Sequence, residues 1–401
     1  MKKLKKTNLK EFKERWTLCI NCAACYYHGP IVPHNWFELP PPEWSTPLHK
    51  CPSFEYFKFR SYTAVGRGTL ATLVFDDNQF PMTDDLIKIV YTCTSCGMCS
   101  EICPAFQPLT AIWALREELV HREVALPRPL EKIDANIEKF NNIFGARKTP
   151  IALKGLPARG EDIYFAGCIA RFREPKVAKA TVEVLKAAGL DIAHLGEEEK
   201  CCGFIPGHDG KTQLLEEKAA QNVEALKEAG AKRVIVSCSH CYKALKNDYP
   251  LIVGDFPFEV VHVAELFAKL IDKKKIKFTQ EIRKKTSFHD PCFLGRQFGV
   301  YNEPRKVLEL IPGIELIEME RNRRWSYCCG SGAKITSNCY PEFTAAVTNE
   351  RLTEGKKAAD TVVTACTTCF SHMDKAVRKH RIELEIYDLP VLVAEAMGIE
   401  S

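Results

Sequence analysis

The sequence has no apolar run long enough to cross a membrane. Its uncharged stretch Thr17 to Phe37 is broken by three Cys, two Pro, two Asn, two His and a Gly, whereas a spanning helix needs about 20 predominantly apolar residues. The opening residues, Met1 to Lys10, are lysine-rich with no apolar core, so no export signal is expected. A Gly-rich dinucleotide fingerprint is missing too, which leaves no flavin or NAD site in this chain and sends any flavin to a partner. Nor does one sign of charge dominate. The 56 Lys+Arg against 51 Asp+Glu leave +5 over 401 residues, too little to imply nucleic-acid binding. With 46% hydrophobic and 27% charged residues the chain is neither disordered nor fibrous. Its length admits two to three domains.

What the chain has in excess is cysteine, 19 in all. Disulfide frameworks belong to small secreted chains, so this many in a soluble, cytoplasmic protein of this size points to metal. All but Cys339 fall into clusters. Cys93-Thr-Ser-Cys96-Gly-Met-Cys99-Ser-Glu-Ile-Cys103-Pro104 fits the bacterial C-x2-C-x2-C-x3-C-P run. Three thiolates on one tight loop reach three irons of a cube, and the fourth, before a helix-breaking Pro, turns toward a neighbouring cube. Zinc, the structural alternative, is usually held by two pairs rather than a triplet plus one. Cys19-Ile-Asn-Cys22-Ala-Ala-Cys25 is a second triplet, but its Cys-Pro comes only at Cys51-Pro52. The insert between them is rich in Pro and carries Trp36 and Trp44. It reads either as a docking flap or as a stiff cover over the cluster. With the ligand exchange of two-cluster ferredoxins, Cys19, Cys22, Cys25 and Cys103 bind one cubane, and Cys93, Cys96, Cys99 and Cys51 the other.

The rest of the chain is duplicated. Ala166-Gly167-Cys168 answers Asp290-Pro291-Cys292; Lys200-Cys201-Cys202-Gly203 answers Tyr327-Cys328-Cys329-Gly330; Cys238-Ser-His-Cys241 answers Cys366-Thr-Thr-Cys369. The offsets, 124, 127 and 128 residues, are nearly constant, so these are two copies of one unit. Within each, short apolar strands alternate with helical periodicity. Expected strands are Ile163–Ala166, Val234–Val236 and Val362-Val363; expected helices are Lys176–Gly189, Leu214–Gly230 and Phe343–Leu352. That alternation implies an α/β layer whose strand ends deliver the cysteines. The N-terminal region, with a helix expected at Ala111–Val124, reads as mainly helical. The expected organisation is therefore α+β and multi-domain: a helical, ferredoxin-like two-[4Fe-4S] domain over 1–125, a Pro/Gly-marked linker over 126–160, and α/β copies over 161–280 and 281–401. The basic stretch Lys273–Lys285 reads as a solvated connector between them.

Each copy supplies five thiolates: Cys168, Cys201, Cys202, Cys238 and Cys241, then Cys292, Cys328, Cys329, Cys366 and Cys369. Five is one more than a cubane takes, so one bridges irons, stays free for chemistry or serves an unusual cluster. A redox disulfide within Cys238-x-x-Cys241 is the plainer alternative, but it leaves the vicinal pair unexplained.

The twice-repeated Cys-x(32)-Cys-Cys-Gly-x(34)-Cys-x-x-Cys resembles the CCG domains of the heterodisulfide reductase catalytic subunit, and the whole layout is similar to the fused form of that subunit. The iron–sulfur subunits of anaerobic glycerol-3-phosphate and glycolate dehydrogenases share it. The resemblance implies that each five-Cys set binds a noncubane [4Fe-4S] cluster. It also implies an oxidoreductase in which two cubanes pass electrons to two noncubane clusters that reduce or oxidise a disulfide/dithiol substrate. The stretched first ferredoxin motif departs from the pattern. The alternative is a purely electron-transferring subunit linking a flavoprotein to a quinone, a cytochrome or a bifurcating acyl-CoA-type reductase. Expected partners are flavin- or iron–sulfur-containing electron donors, with a hydrogenase, a bifurcating complex or a membrane cytochrome among them, and the chain would reach a membrane only through such a partner. A zinc scaffold is the non-catalytic rival.

Among lesser residues, His208, His240 and His289 lie near the cysteine motifs and can donate hydrogen bonds to sulfur, though turn-capping or surface positions are the default. Arg321, Arg323 and Arg324 precede Cys328 and can steer an anion, with a solvated face the plainer reading. Cys339 reads as a buried, inert thiol.

Overall fold

The computed structural model describes residues 51–103, 107–147, 153 and 155–400. The triplet Cys19, Cys22 and Cys25 and the Pro-rich insert lie outside the described residues. No helix among the described residues is long and apolar enough to cross a membrane.

The N-terminal part is built of helices, at Pro52–Phe57, Ala64–Asp76, Asp84–Tyr91, Met98–Ile102 and Pro108–His121. The last starts three residues before the expected Ala111. Pro108 stands in its first turn, where a missing N–H costs nothing. It stops at His121 because Glu123 turns left-handed, φ 56°.

The segment expected as a linker contains a helix, Arg128–Phe140, with Leu130, Ile133 and Ile137 buried. Pro129 initiates this helix rather than breaking it. Asp134 on the same helix is fully buried, its carboxylate 3.1 Å from Lys211 Nζ. Burial pushes its pKa up to about 6 against the pull of Lys211. A carboxyl whose folded pKa lies above the unfolded value contributes stability at low pH that is lost as pH rises through the folded pKa. The window here runs from about pH 4 to pH 6. Asp134→Asn is therefore expected to raise the melting temperature at pH 8 by about 2–4 °C, a gap that narrows toward pH 5. A variant less stable than wild type at pH 8 would mean that Lys211 more than offsets the burial.

The two copies build two four-stranded parallel sheets of the same topology. Their strands are β1 Asp162–Phe165, β2 Ile192–Ala193, β3 Arg233–Val236 and β4 Glu259–His262, then β5 Lys284–His289, β6 Ile314–Leu316, β7 Thr361–Thr364 and β8 Glu385–Asp388. The orders are β2-β1-β3-β4 and β6-β5-β7-β8. The central pair of the first sheet runs from Asp162 opposite Arg233 to Phe165 opposite Val236. In the second, Thr286 opposes Thr361 and His289 opposes Thr364. The central strands β1, β3 and β7 are short and largely apolar, as strands covered by helices on both faces are, whereas β5 reads Lys-Lys-Thr-Ser-Phe-His. The basic stretch 273–285 ends inside β5, where Lys284 pairs with Glu385.

The copies are clasped reciprocally. The helix after β8, Leu389–Ala396, packs on Pro175–Ala187 of the first copy, and the helix after β4, Val263–Asp272, packs on Asn302–Glu309 of the second. The N-terminal helices dock on both. Tyr91 donates to Asp209 O at 2.7 Å in the first copy. Arg296 donates to Cys96 O at 2.9 Å and Thr336 to Cys93 O at 3.0 Å from the second.

Candidate metal centres

In each sheet the strand order reverses between its two central strands, and there the carboxyl ends open a crevice. β1 leads to Cys168 and β3 to Cys238; β5 leads to Cys292 and β7 to Cys366. Cys238 and Cys366 each sit at the N-cap of a helix, Ser239–Lys243 and Thr367–His380, where the amide dipoles favour a thiolate.

The vicinal pairs need the glycine that follows them. Gly203 and Gly330 have φ of 73° and 90°, turning the chain so that the second cysteine of each pair meets its CxxC. A Cβ on Gly330 would stand 2.1 Å from Thr348 Oγ1 and 2.8 Å from Thr344 O. Gly330→Ala is therefore expected to cost about 2–3 kcal/mol, from left-handed strain plus displaced backbone. A thermal melt checks this, and an unchanged midpoint would contradict it.

The sulfurs of the first set are contiguous. Cys168 contacts Cys201, Cys201 contacts Cys202, Cys202 contacts Cys241, and Cys241 contacts Cys238. In the second set Cys366 contacts Cys369, Cys369 contacts Cys329, and Cys329 contacts Cys328, with Cys292 feeling the charge of Cys329. The two files join across the copies at Cys238 and Cys366, which with His240 offer ligand atoms all within 4.8 Å of one another. The junction is reciprocal. Ser239, inside the first CxxC, donates to Cys366 Sγ at 3.0 Å, and Thr368, inside the second, hydrogen-bonds Cys238 Sγ at 3.4 Å. Spacing alone could not reveal these two hydroxyls as partners, because their reach depends on the copies meeting face to face.

Protons are shared unevenly along the file. Hydrogen bonds from Cys201 and Cys241 lower the Cys202 pKa to about 6. Contact with Cys241 and Cys366 holds Cys238 well below the thiol range, and Cys328 and Cys369 do the same for Cys329. Their neighbours Cys241, Cys328 and Cys369 are correspondingly raised. A buried set of this kind becomes fully ionised only with positive charge among the sulfurs, which is what metal ions supply. The donor set therefore fits iron.

The three histidines are buried, not turn-capping residues at the surface. His289 Nδ1 accepts from Arg351 Nε at 3.0 Å, so its proton stands on Nε2, which hydrogen-bonds Cys329. His240 Nδ1 lies 3.9 Å from Cys238 Sγ. His208 Nδ1 meets Phe204 O at 2.7 Å and its ring stacks on Phe204. Arg321, expected on a solvated face, is buried as well. Its guanidinium pairs with Glu350 and Glu354 and lies over the Tyr327 ring. Arg323 keeps an exposed pair with Glu318, and Arg324 lies over Trp325. Cys339 is half-buried, touches neither set, and burial raises its pKa to about 12.

Of the N-terminal cysteines, Cys51 caps the Pro52–Phe57 helix and Cys93, Cys96 and Cys99 follow the helix Asp84–Tyr91. Burial raises the Cys51 pKa to about 11, and the charges of Cys96 and Cys93 add to it. Two arginines, Arg67 and Arg116, are buried beside this group without a carboxylate partner among the described residues. Arg67 donates to Ile89 O, Tyr62 O, Ser53 and Thr92. Arg116 donates to Cys93 O, Val90 O, His208 O and Ser95, and its Nε has no partner. Buried cations lacking a counter-charge are costly, so an anionic cluster on these thiolates fits here. Cys96 in turn acts on Cys292 and Cys328, so this site adjoins the second copy.

Known proteins resemble this chain at the level of its domains. A 4Fe-4S dicluster domain matches residues 15–106, and a cysteine-rich domain matches residues 163–246 and 286–374. The chain is 33% identical over 362 residues to a subunit of the dihydromethanophenazine:CoB–CoM heterodisulfide reductase of Methanosarcina barkeri, covering 87% of this chain and 88% of that protein. It is 34% identical over 262 residues to an EtfAB:quinone oxidoreductase of Syntrophomonas wolfei, covering 61% of this chain and 36% of that one. With a subunit of the fumarate reductase (CoM/CoB) of Methanothermobacter marburgensis it shares 32% over 300 residues, 72% of this chain and 58% of the other. A solved structure of a hypothetical protein from Helicobacter pylori superposes with a TM-score of 0.54 at 11% identity, covering 84% and 68% of the two chains, a likeness of fold alone.

Proposed function

The chain belongs to the heterodisulfide reductase family of iron–sulfur oxidoreductase subunits, and on that premise we propose that its two cysteine-rich copies act jointly on one small disulfide/dithiol pair. The observation that carries this reading is the seam at which Cys238 and Cys366 meet, joining two complete five-cysteine sets into one sulfur-lined surface. Cleaving an S–S bond takes two electrons and leaves two sulfurs, and a pseudo-symmetric pair of sites offers one place for each. Cys168, Cys201, Cys202, Cys238 and Cys241 would hold one noncubane [4Fe-4S] cluster, and Cys292, Cys328, Cys329, Cys366 and Cys369 the other. Cys19, Cys22, Cys25 and Cys103 would hold one cubane, and Cys93, Cys96, Cys99 and Cys51 the second. When bound, such clusters supply one-electron transfer.

The chain's own residues do the rest. The parallel sheets and their helices keep water from most of the sulfurs. Ser239, Thr368 and the His289 Nε2–H give hydrogen bonds to sulfur, which stabilise its negative charge. Cys96 lies near enough to Cys292 and Cys328 to act on their charge, so the second copy is the side on which electrons would enter. The donor would be a flavin- or iron–sulfur-containing subunit, since the sequence carries no nucleotide fingerprint.

The test is turnover. Anaerobically purified protein with reduced methyl viologen is expected to reduce a low-molecular-weight disulfide, and added thiol is expected to change its cluster spectra. No turnover with any disulfide, together with spectra indifferent to thiols, would contradict the reading. That outcome would leave the electron-relay reading, which the likeness to an EtfAB:quinone oxidoreductase favours.

A further inference from the structure

A cavity lined by all five cysteines of the first set, the seat that its cluster would take, is closed by Lys334 and Thr368 of the second copy. Lys334 thus reaches across the junction, and it does so from an unusual backbone. Gly332, Ala333 and Lys334 have successive φ values of 51°, 57° and 69°. Two residues with side chains are therefore held left-handed in a row, a conformation that persists only where the surroundings impose it.

Lys334 is half-buried, and its ammonium has no hydrogen bond and no ion pair among the described residues. The charges acting on it most are the sulfurs of Cys329 and Cys369 and two cations, Lys375 and Arg173. The duplication sharpens the point. Five residues past the vicinal pair the second copy has Lys334, while the first has Gly207 inside a regular helix, Phe204–Asp209. Besides the changes inside the CxxC motifs and His289, the two halves thus differ by a cation that lines the cavity.

We propose that Lys334 holds the sulfur anion of a small organic thiol bound between the two cysteine sets. This rests on the disulfide reading above and assigns a residue within it. In the reaction RS–SR′ + 2e− + 2H+ → RSH + R′SH, the S–S bond breaks and each sulfur becomes an anion before water protonates it. A one-electron donor such as reduced viologen supplies the electrons. Lys334 N–H donates to one of those two sulfurs and not to the other, so the two ends of an unsymmetrical disulfide are told apart.

The experiment titrates the oxidised, cluster-loaded protein with 2-mercaptoethanol and follows the EPR spectrum, for wild type, Lys334→Met and Lys334→Arg. Neither substitution alters the left-handed backbone requirement, and iron content checks that each variant is loaded. The half-saturating thiol concentration is expected to rise about tenfold or more in Lys334→Met, the loss of one charge-assisted hydrogen bond, and to stay within about threefold in Lys334→Arg. Equal half-saturation in wild type and Lys334→Met would overturn the proposal, as would a wild-type spectrum that ignores thiol. Viologen-driven turnover separates the two readings. A thiol response that depends on Lys334 without any disulfide turnover removes the disulfide reading alone. Turnover and thiol affinity both unchanged in Lys334→Met remove the Lys334 proposal alone.

Discussion

Cys329→Ser is expected to lose about four irons per chain and, with them, at least about a hundredfold in disulfide turnover. Cys329 is the sulfur on which the second set converges, in contact with Cys328, Cys369 and the His289 Nε2–H. It is buried, so no solvent ligand can take its place, and a hydroxyl is a far poorer donor to iron than a thiolate. The loss should be confined to the second centre. The first set has its own sheet, β1 to β4. Cys339→Ser is the matched control, since Cys339 touches neither set, and it should keep full iron and full turnover. Iron in Cys329→Ser equal to wild type would mean that this cysteine is not a ligand.

The second large effect belongs to a buried ion network that shapes the same site. Arg351 donates from Nε to His289, from Nη1 to Glu354 at 2.9 Å and to Arg321 O, and from Nη2 to Ser326. Glu354 also accepts from the Arg321 backbone N–H at 2.6 Å and from Arg321 Nε at 3.0 Å. Burial pushes the Glu354 carboxyl up, but Arg351 and Arg321 outweigh it and hold its pKa below the usual range. Glu354→Gln keeps the shape and removes the carboxylate that pairs with both guanidiniums among the described residues; Arg321 keeps its pair with Glu350. Stranding buried charge in this way typically costs about 3–5 kcal/mol. The expected result is a melting temperature lower by on the order of 10 °C. His289, no longer braced by a fixed Arg351, would donate less well to Cys329. A midpoint lowered by no more than about 2 °C, on the order of 1 kcal/mol or less, would contradict the account.

The grouping of the cysteines is legible in the sequence because thiolate spacing on a loop is dictated by the cluster it fits. Cys93, Cys96, Cys99 and Cys103 declare themselves within one short run. The strands are legible for a related reason. Ile163 to Phe165 and Val234 to Val236 are short apolar runs that end near a cysteine, the usual look of a buried parallel strand, whereas β5, Lys-Lys-Thr-Ser-Phe-His, lacks that signal. The helix at Arg128–Phe140 is not legible, since Pro127 and Pro129 read as punctuation while Pro in a first turn begins a helix.

Arg321, Arg351 and Glu354 escape a reading of the sequence because charged residues normally mark a surface, and only tertiary packing reveals that these are buried with one another. Ser239 and Thr368 lie in plain sight inside their CxxC motifs, yet each serves the cysteine of the other copy. Lys334 leaves one signal. It stands where the first copy has Gly207, a difference that aligning the copies residue by residue past the vicinal pair brings out.

The central claim is that both cysteine-rich copies, and not the N-terminal helices alone, carry iron–sulfur centres. Counting iron and acid-labile sulfide per chain in anaerobically purified protein tests it most directly. The account predicts about sixteen of each, four [4Fe-4S] centres in all. About eight of each would confine the clusters to the N-terminal part and contradict it.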